Sequence, residues 1–195
     1  MSGSLDEKVV AVVGASGCYG AAAARALSRE GARLVLGARS RQPLEELQRE
    51  LEQSRTLVVG TDVTRRRHLE RLVEVALERF GSLDALVYAA RVRPAMLQSL
   101  DAGSWGDCVD VNVRGFLYAA GAALPAMLDR GGGHIVDLAS GEEDGALERA
   151  VGSARRNVRE GIRAELSGRG VSVSEIAPGP DSAKRVCQLF VSTGE

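Results

Sequence analysis

Val9-Val10-Ala11-Val12-Val13-Gly14-Ala15-Ser16-Gly17-Cys18-Tyr19-Gly20 decides how this chain is read. Five apolar residues in succession, four of them β-branched valines, read as a strand buried on both faces. Glycines at 14, 17 and 20 follow it, and the alanine-rich run Ala21 to Arg29 opens a helix at once. In that setting glycine lets the backbone turn tightly and approach a pyrophosphate, which the free amides and dipole of the helix start stabilise. The plain alternative is a strand-to-helix turn that binds nothing.

Outward from this stretch, short apolar runs alternate with helical patterns. Leu34 to Leu36, Leu57 to Val59, Leu83 to Val87, Ile135 to Leu138 and Val171 to Ile176 read as five more strands. Leu44, Leu47 and Leu51 mark one helix, Leu69, Leu72, Val73, Ala76 and Phe80 another, and Trp105 to Leu128 a third. In the last, Val151, Ala154, Val158, Ile162 and Leu166 form an apolar face, while Arg155, Arg159 and Arg163 form a charged row that reads as solvated. The alternation predicts an α/β fold: a doubly wound parallel sheet in three layers. No linker or repeat interrupts it, so residues 1–195 are expected to form a single domain.

Composition narrows the function. The 195 residues carry 25 basic and 26 acidic side chains, a net charge of -1, which leaves no footprint for nucleic acid or an anionic membrane. Val9 to Val13 is too short to cross a bilayer and no signal peptide opens the chain, so a cytoplasmic protein is expected. Cys18, Cys108 and Cys187 are too few and too scattered for a disulfide framework or, with His68 and His134, for a metal site. Cys18, at a helix start, is a candidate for a reactive thiol.

Where an acidic residue after the second strand would bind the ribose of NAD, the chain has Gly37-Ala38-Arg39-Ser40-Arg41. Arg39 can stack on adenine and pair with a 2'-phosphate, which points to NADP in preference to NAD; otherwise it is a surface arginine opening a helix. Asp62 and Val63 stand where a carboxylate and an amide would meet adenine, although a helix N-cap explains the aspartate equally well.

Together with the glycine-rich turn, several motifs resemble the short-chain dehydrogenase/reductase family. They are Asp62-Val63-Thr64, the stretch Trp105 to Gly115 containing Asn112, Leu124-Pro125-Ala126-Met127-Leu128, Gly133 to Ser140, and Pro178-Gly179. The resemblance runs from Lys8 to about Gly179 and implies a Rossmann-type sheet of order 3-2-1-4-5-6 with a possible seventh strand. It implies a dinucleotide held by Gly14, Ser16, Gly17, Tyr19, Gly20, Arg39, Ser40, Asp62, Val63, Ala89, Ala90, Pro178 and Gly179. The glycine spacing is that of the family's extended and atypical branches, and Tyr88-Ala89-Ala90-Arg91 replaces the expected Asn-Asn-Ala-Gly.

Family members interconvert carbonyls and alcohols by hydride transfer with the nicotinamide. A tyrosine serves as acid/base, a lysine four residues later lowers its pKa, a serine orients the carbonyl and an asparagine supports a water relay. By resemblance Ser140 and Asn112 match the last two; without it, a loop cap and a mid-helix polar residue explain them. The tyrosine and lysine are missing, because the tyrosines are Tyr19, Tyr88 and Tyr118 and the lysines Lys8 and Lys184. Matching by apolar stripe puts Val151 and Arg155 at the two positions; counting on from Ser140 puts Ser153 and Asn157 there. Arg155 could hold a ribose hydroxyl. Tyr19 and Tyr88 lie near the expected cleft with no spacing that makes either a replacement.

The short segment beyond Pro178 implies an abbreviated substrate lid, with Val186 to Val191 as a final edge strand. Trp105 is expected to pack a helix on the sheet, and Glu142-Glu143-Asp144 to be a solvated loop or a relocated acid. Three functions follow: an NADP-binding relative of carbonyl reductases with a degraded centre and a regulatory or assembly role; a working oxidoreductase using Ser140 with a substitute acid; or a dimeric scaffold that binds no nucleotide. A homo-oligomer through the fourth and fifth helices suits the first and the last.

Overall fold

A computed structural model describes residues 5–93, 102–138, 145–177 and 179–191. Six strands, Val9–Val13 (β1), Arg33–Ala38 (β2), Thr56–Gly60 (β3), Ala85–Tyr88 (β4), Gly133–Asp137 (β5) and Val171–Glu175 (β6), pair in parallel in the order 3-2-1-4-5-6. β1 is central: Val13 lies opposite Gly37 of β2 on one side and Tyr88 of β4 on the other. The connection reverses direction there, so a crevice opens beyond the carboxyl ends of β1 and β4.

Helices cover both faces: Cys18–Arg29 (α1), Arg41–Glu50 (α2), Arg66–Phe80 (α3), Ala102–Val109 (α4), Gly115–Asp129 (α5), Ala146–Glu165 (α6) and Ser182–Val191 (α7). All five β1 residues are buried because alternate side chains enter opposite layers. Val10, Val12, Leu34 and Leu36 pack beneath α1, α2 and α7 through Leu27, Leu44 and Phe190. Val9, Ala11, Val13 and Val35 pack beneath α3 and α5 through Leu72, Phe116, Ala123 and Met127. Each fully buried leucine or phenylalanine contributes about 1.5–3 kcal/mol.

Three expectations change. Val186 to Val191 is not an edge strand but lies in α7, where Val186, Cys187 and Phe190 present one helical face to the core. The Gly179 carbonyl accepts from the Ser182 amide (3.1 Å) and hydroxyl (2.9 Å), which starts that helix. Trp105 does not pack on the sheet and is 45% exposed. The run Trp105–Asp129 is long and apolar enough to cross a membrane by length and composition, yet α5 buries Phe116, Ala119, Ala120, Ala123 and Met127 against the sheet and α3.

The third change concerns α6. Its buried face is Leu147, Val151, Arg155 and Arg159, whereas Ala154 is exposed and Val158 and Ile162 are only half-buried. Arg155 and Arg159 are therefore directed inward, because the strand ends they face carry carboxylates, while Arg163, the third of the row, is exposed and donates to the Val173 carbonyl. Helical periodicity records hydrophobicity but not the charge of the opposing surface.

Candidate dinucleotide site

The turn after β1 is shaped by contacts that only glycine permits. Gly14 adopts φ +82°, and a Cβ there would lie 2.5 Å from the Ala90 nitrogen, so β1 and the segment after β4 touch backbone to backbone. A Cβ at Gly20 would overlap the Gly14 carbonyl oxygen, which packs the first turn of α1 onto the loop. The Gly14 and Ala15 amides donate to the Gly37 carbonyl at 2.8 and 3.1 Å, tying the turn to β2. Gly17 caps α1 without any side-chain hydrogen bond, which leaves the first-turn amides for a ligand.

A cavity of about 200 Å³ lies over this turn. Gly14, Ser16 and Gly17 line it from the turn after β1, Arg39 and Ser40 from the end of β2, and Val63, Ala89 and Ala90 from the loops after β3 and β4. Thus eight of the residues singled out from the sequence converge on one crevice. Gly20 supports it from below. Tyr19, in the first turn of α1, is half-buried against the core and is not among the lining residues. Ala38, Thr61, Arg91, Val92 and Val111 also line the cavity and were not anticipated. Thr61 and Ala38 merely continue strands already recognised; Arg91, in the segment already seen to depart from the family pattern, carried a signal.

Asp62 is not the N-cap of α3, whose cap residue is Arg65 with no side-chain hydrogen bond, but holds a local turn ahead of it. Its Oδ1 accepts from the Thr64 amide (3.0 Å) and hydroxyl (2.8 Å), and Asp62 is not a lining residue. Burial acts to raise its pKa, but the Thr64 hydrogen bonds and the Arg65 and Arg39 charges outweigh it and leave the carboxyl below its ordinary value. Gly179, at the start of α7, is likewise not among the lining residues. Ser140, Pro178 and the run Glu142 to Asp144 lie outside the described residues.

Asn112 is buried in a π-helical turn, Asp110–Arg114, that joins α4 to α5. Its Nδ2 donates to the Val92 carbonyl (2.7 Å) and the Cys108 carbonyl (2.9 Å), and its Oδ1 accepts from the Val92 amide (3.3 Å). The side chain is committed to holding the segment after β4 beneath the cavity. The extra residue of a π turn, common at functional positions, directs Asn112 toward that segment.

Tyr88 is completely buried and its hydroxyl donates to the Val111 carbonyl at 2.5 Å. A Cβ at Gly115 would collide with that hydroxyl, and Phe116 packs edge-on at 5.5 Å between centroids. Burial pushes the phenol well above its ordinary pKa. It is a core residue with no path to a substrate.

Asp137, at the end of β5, is 0% exposed and binds two arginines of α6. Arg155 (5% exposed) donates from Nε at 2.9 Å to Oδ2 and from Nη2 to Oδ1, while Arg159 (3%) donates from Nη1 at 2.6 Å and pairs through Nη2 with Glu175. The Arg155 guanidinium also lies 5.1 Å from the Tyr88 ring centroid and 5.6 Å from that of Phe116. Arg155, 5% exposed, is therefore held in a two-pronged pair with Asp137 rather than extended toward a ribose hydroxyl. Val151 beside it is buried, whereas Ser153 and Asn157 are exposed.

Cys18 is exposed at the start of α1. Cys108 and Cys187 are buried, and burial raises both thiols, Cys187 to about 11.

The chain matches the short chain dehydrogenase family model over residues 8–186. An uncharacterized oxidoreductase of Staphylococcus aureus is 35% identical over 181 residues, spanning 90% of this chain and 78% of that protein. One from Staphylococcus saprophyticus is 36% identical over 187 residues, with 90% and 79% covered. A metagenomic short-chain oxidoreductase solved in complex with NADP superposes with a TM-score of 0.88 at 29% identity, over 96% of this chain and 92% of that one. An actinorhodin polyketide ketoreductase with NADPH gives a TM-score of 0.82 at 28% identity, over 98% and 79%. With the sheet order, the glycine turn and these matches in agreement, this chain belongs to the short-chain dehydrogenase/reductase family.

Proposed function

We propose that residues 1–195 form one nucleotide-binding domain that takes NADP in preference to NAD, and that its reductase centre is degraded, leaving a poorly active or inactive relative of carbonyl reductases with a regulatory or assembly role. The glycine turn and the uncapped start of α1 suit a pyrophosphate, and Arg39 with Ser40 suits a 2'-phosphate. A bound dinucleotide would supply hydride chemistry at its nicotinamide. The chain's own residues position it: Val63, Ala89 and Ala90 form the wall of the crevice, and Asn112 holds that wall in place through Val92.

One observation carries the reading of a degraded centre. On the helix where the family places its tyrosine and lysine, Val151 has no titratable proton and Arg155 is locked onto Asp137. None of the three tyrosines is assigned as a substitute: Tyr88 is sealed in the core, Tyr118 packs with the α5 cluster, and Tyr19, half-buried against the core at the start of α1, does not line the cavity. A general acid is worth about 10²–10⁴ in rate. Calorimetric titration with NADPH and NADH, followed by turnover measurements on a panel of ketones and aldehydes, tests the proposal. The expected result is tighter NADPH binding with turnover at least about 10²-fold below the ordinary range of 1–10³ s⁻¹. Turnover within that range would overturn the degraded centre, and absence of binding would overturn the nucleotide.

Exposed Trp105 (45%) on α4 and Leu117 (44%) on α5, together with half-buried Val158 and Ile162 on α6, favour the accompanying reading of a cytoplasmic homodimer joined through the Trp105–Leu128 stretch and α6. Sedimentation of Leu117→Glu against the unaltered protein tests the interface: a dimer that dissociates in the variant is expected, and a monomer in both refutes it.

A further inference from the structure

Arg91 stands where the family pattern has glycine, one residue beyond the Ala89-Ala90 backbone that touches Gly14. It is half-buried and lines the same cavity as Gly14, Ser16, Gly17 and Arg39. Among the described residues no carboxylate forms a salt bridge with it. Arg93 and Arg155 act on it repulsively; the Tyr19 phenol and then the Glu148 carboxylate act on it favourably through space, and Glu148 is turned onto the Gly145 amide at 3.3 Å. Burial first, and then the Arg93 charge, lower its pKa from the ordinary arginine value, although a guanidinium stays charged near neutral pH. Partial withdrawal of a cation from water without a counter-charge is unfavourable, and a glycine would avoid it. An anion filling the cavity relieves it.

The position of the cavity says which anion. Arg39 ends β2 and Arg91 follows β4, and these strands flank β1, so two strand spacings, about 10 Å, separate their backbones. The uncapped amides of α1 lie between them. The two guanidinium groups are placed to serve different phosphates of one nucleotide rather than to share one.

We propose that Arg91 is a specificity-determining residue that contacts the 5'-pyrophosphate of the dinucleotide from the side of β4, while Arg39 contacts the 2'-phosphate. This rests on the nucleotide-binding reading above and adds to it a second cation that discriminates ligands with a 5'-pyrophosphate from those without.

Calorimetric titration of the full chain with NADP⁺, ADP and 2'-AMP, for the unaltered protein and for Arg91→Gly, Arg91→Lys and Arg39→Ala, tests the assignment, with thermal melting as the check on folding. Arg91→Gly is expected to weaken NADP⁺ and ADP by about ten- to a hundredfold, the scale of a charge-assisted hydrogen bond, and to leave 2'-AMP within about twofold. Arg91→Lys recovers part of the loss. Arg39→Ala gives the converse, weakening NADP⁺ and 2'-AMP but not ADP. Equal affinities in Arg91→Gly and the unaltered protein, or an equal loss for ADP and 2'-AMP, would overturn the role of Arg91 while leaving nucleotide binding intact. If the unaltered protein binds none of the three ligands, the nucleotide reading fails and this assignment with it.

Discussion

Replacing Asp137 by asparagine should be among the most damaging conservative changes this chain can suffer. The substitution keeps the volume and one carbonyl oxygen but removes the charge that faces two buried guanidinium groups. Arg155 then has no anion among its described partners, and Arg159 retains only Glu175, whose side chain is 41% exposed. Breaking a buried pair on one side costs about 3–5 kcal/mol, because the surviving charge stays desolvated. The stacking of Arg155 over Tyr88 and Phe116 is present before and after and offsets nothing. Against a total stability of about 5–15 kcal/mol, and at about 2–4 °C per kcal/mol for a chain of this size, the melting temperature falls by about 6–20 °C. Urea unfolding and scanning calorimetry measure this, with Glu70→Gln as control. Glu70 pairs with Arg66 on the exposed face of α3, and its loss should cost less than about 0.5 kcal/mol. A loss below about 1 kcal/mol in Asp137→Asn, at unchanged m value, would refute the buried network. Asp137→Leu combined with Arg155→Met and Arg159→Leu should recover much of the loss, since an apolar cluster carries no desolvation penalty and Glu175, 41% exposed, remains solvated.

Gly14→Ala forces a Cβ into the Ala90 backbone at φ +82°, and should cost about 2 kcal/mol or more and remove nucleotide binding in titration. Gly81→Ala, at φ +78° with open space around it, is the comparison and should cost about 1–2 kcal/mol; equal effects at both sites would argue against the close approach. Asn112→Ala deletes the amide that holds Val92 and should cost about 1–3 kcal/mol, with faster hydrogen exchange at the Val92 amide; unchanged protection there would refute the tether. His134 is buried between the Ser172 and Ser174 hydroxyls, each at 2.9 Å, and burial holds its pKa below the ordinary 6.5. The unfolded chain takes up this proton first, so the contribution is full above pH 6.5 and is lost as pH falls through 6.5 toward the folded value. His134→Gln should flatten that limb of the pH–stability curve, and an unaltered slope would show that His134 does not cause it.

Legibility followed the kind of physics each residue obeys. The six strands were readable because a parallel strand buried on both faces is a continuous apolar run, as Val9–Val13 is. The crevice residues were readable because glycine at 14, 17 and 20 has a local steric meaning that survives folding. The Val186–Val191 segment was misread because a short apolar run suits a strand or a helix, and only the surface it meets chooses between them. Arg155 and Arg159 were misread for a related reason: charge predicts exposure unless a partner is waiting, and Asp137 lies on another element. Arg91 was visible as a departure from the family pattern, but its half-burial over the glycine turn was not.

The amino-acid order alone determined the α/β class, the strand sequence, the glycine-rich turn and the absence of a tyrosine–lysine pair, since each depends on residue identity or on periodicity within one element. Tertiary structure alone decided which arginines are buried, that Asn112 serves the segment after β4, and that Arg39 and Arg91 face one cavity. Those facts depend on groups distant in the chain being brought within a few ångströms, where an unpaired charge is costly and a paired one is held fast.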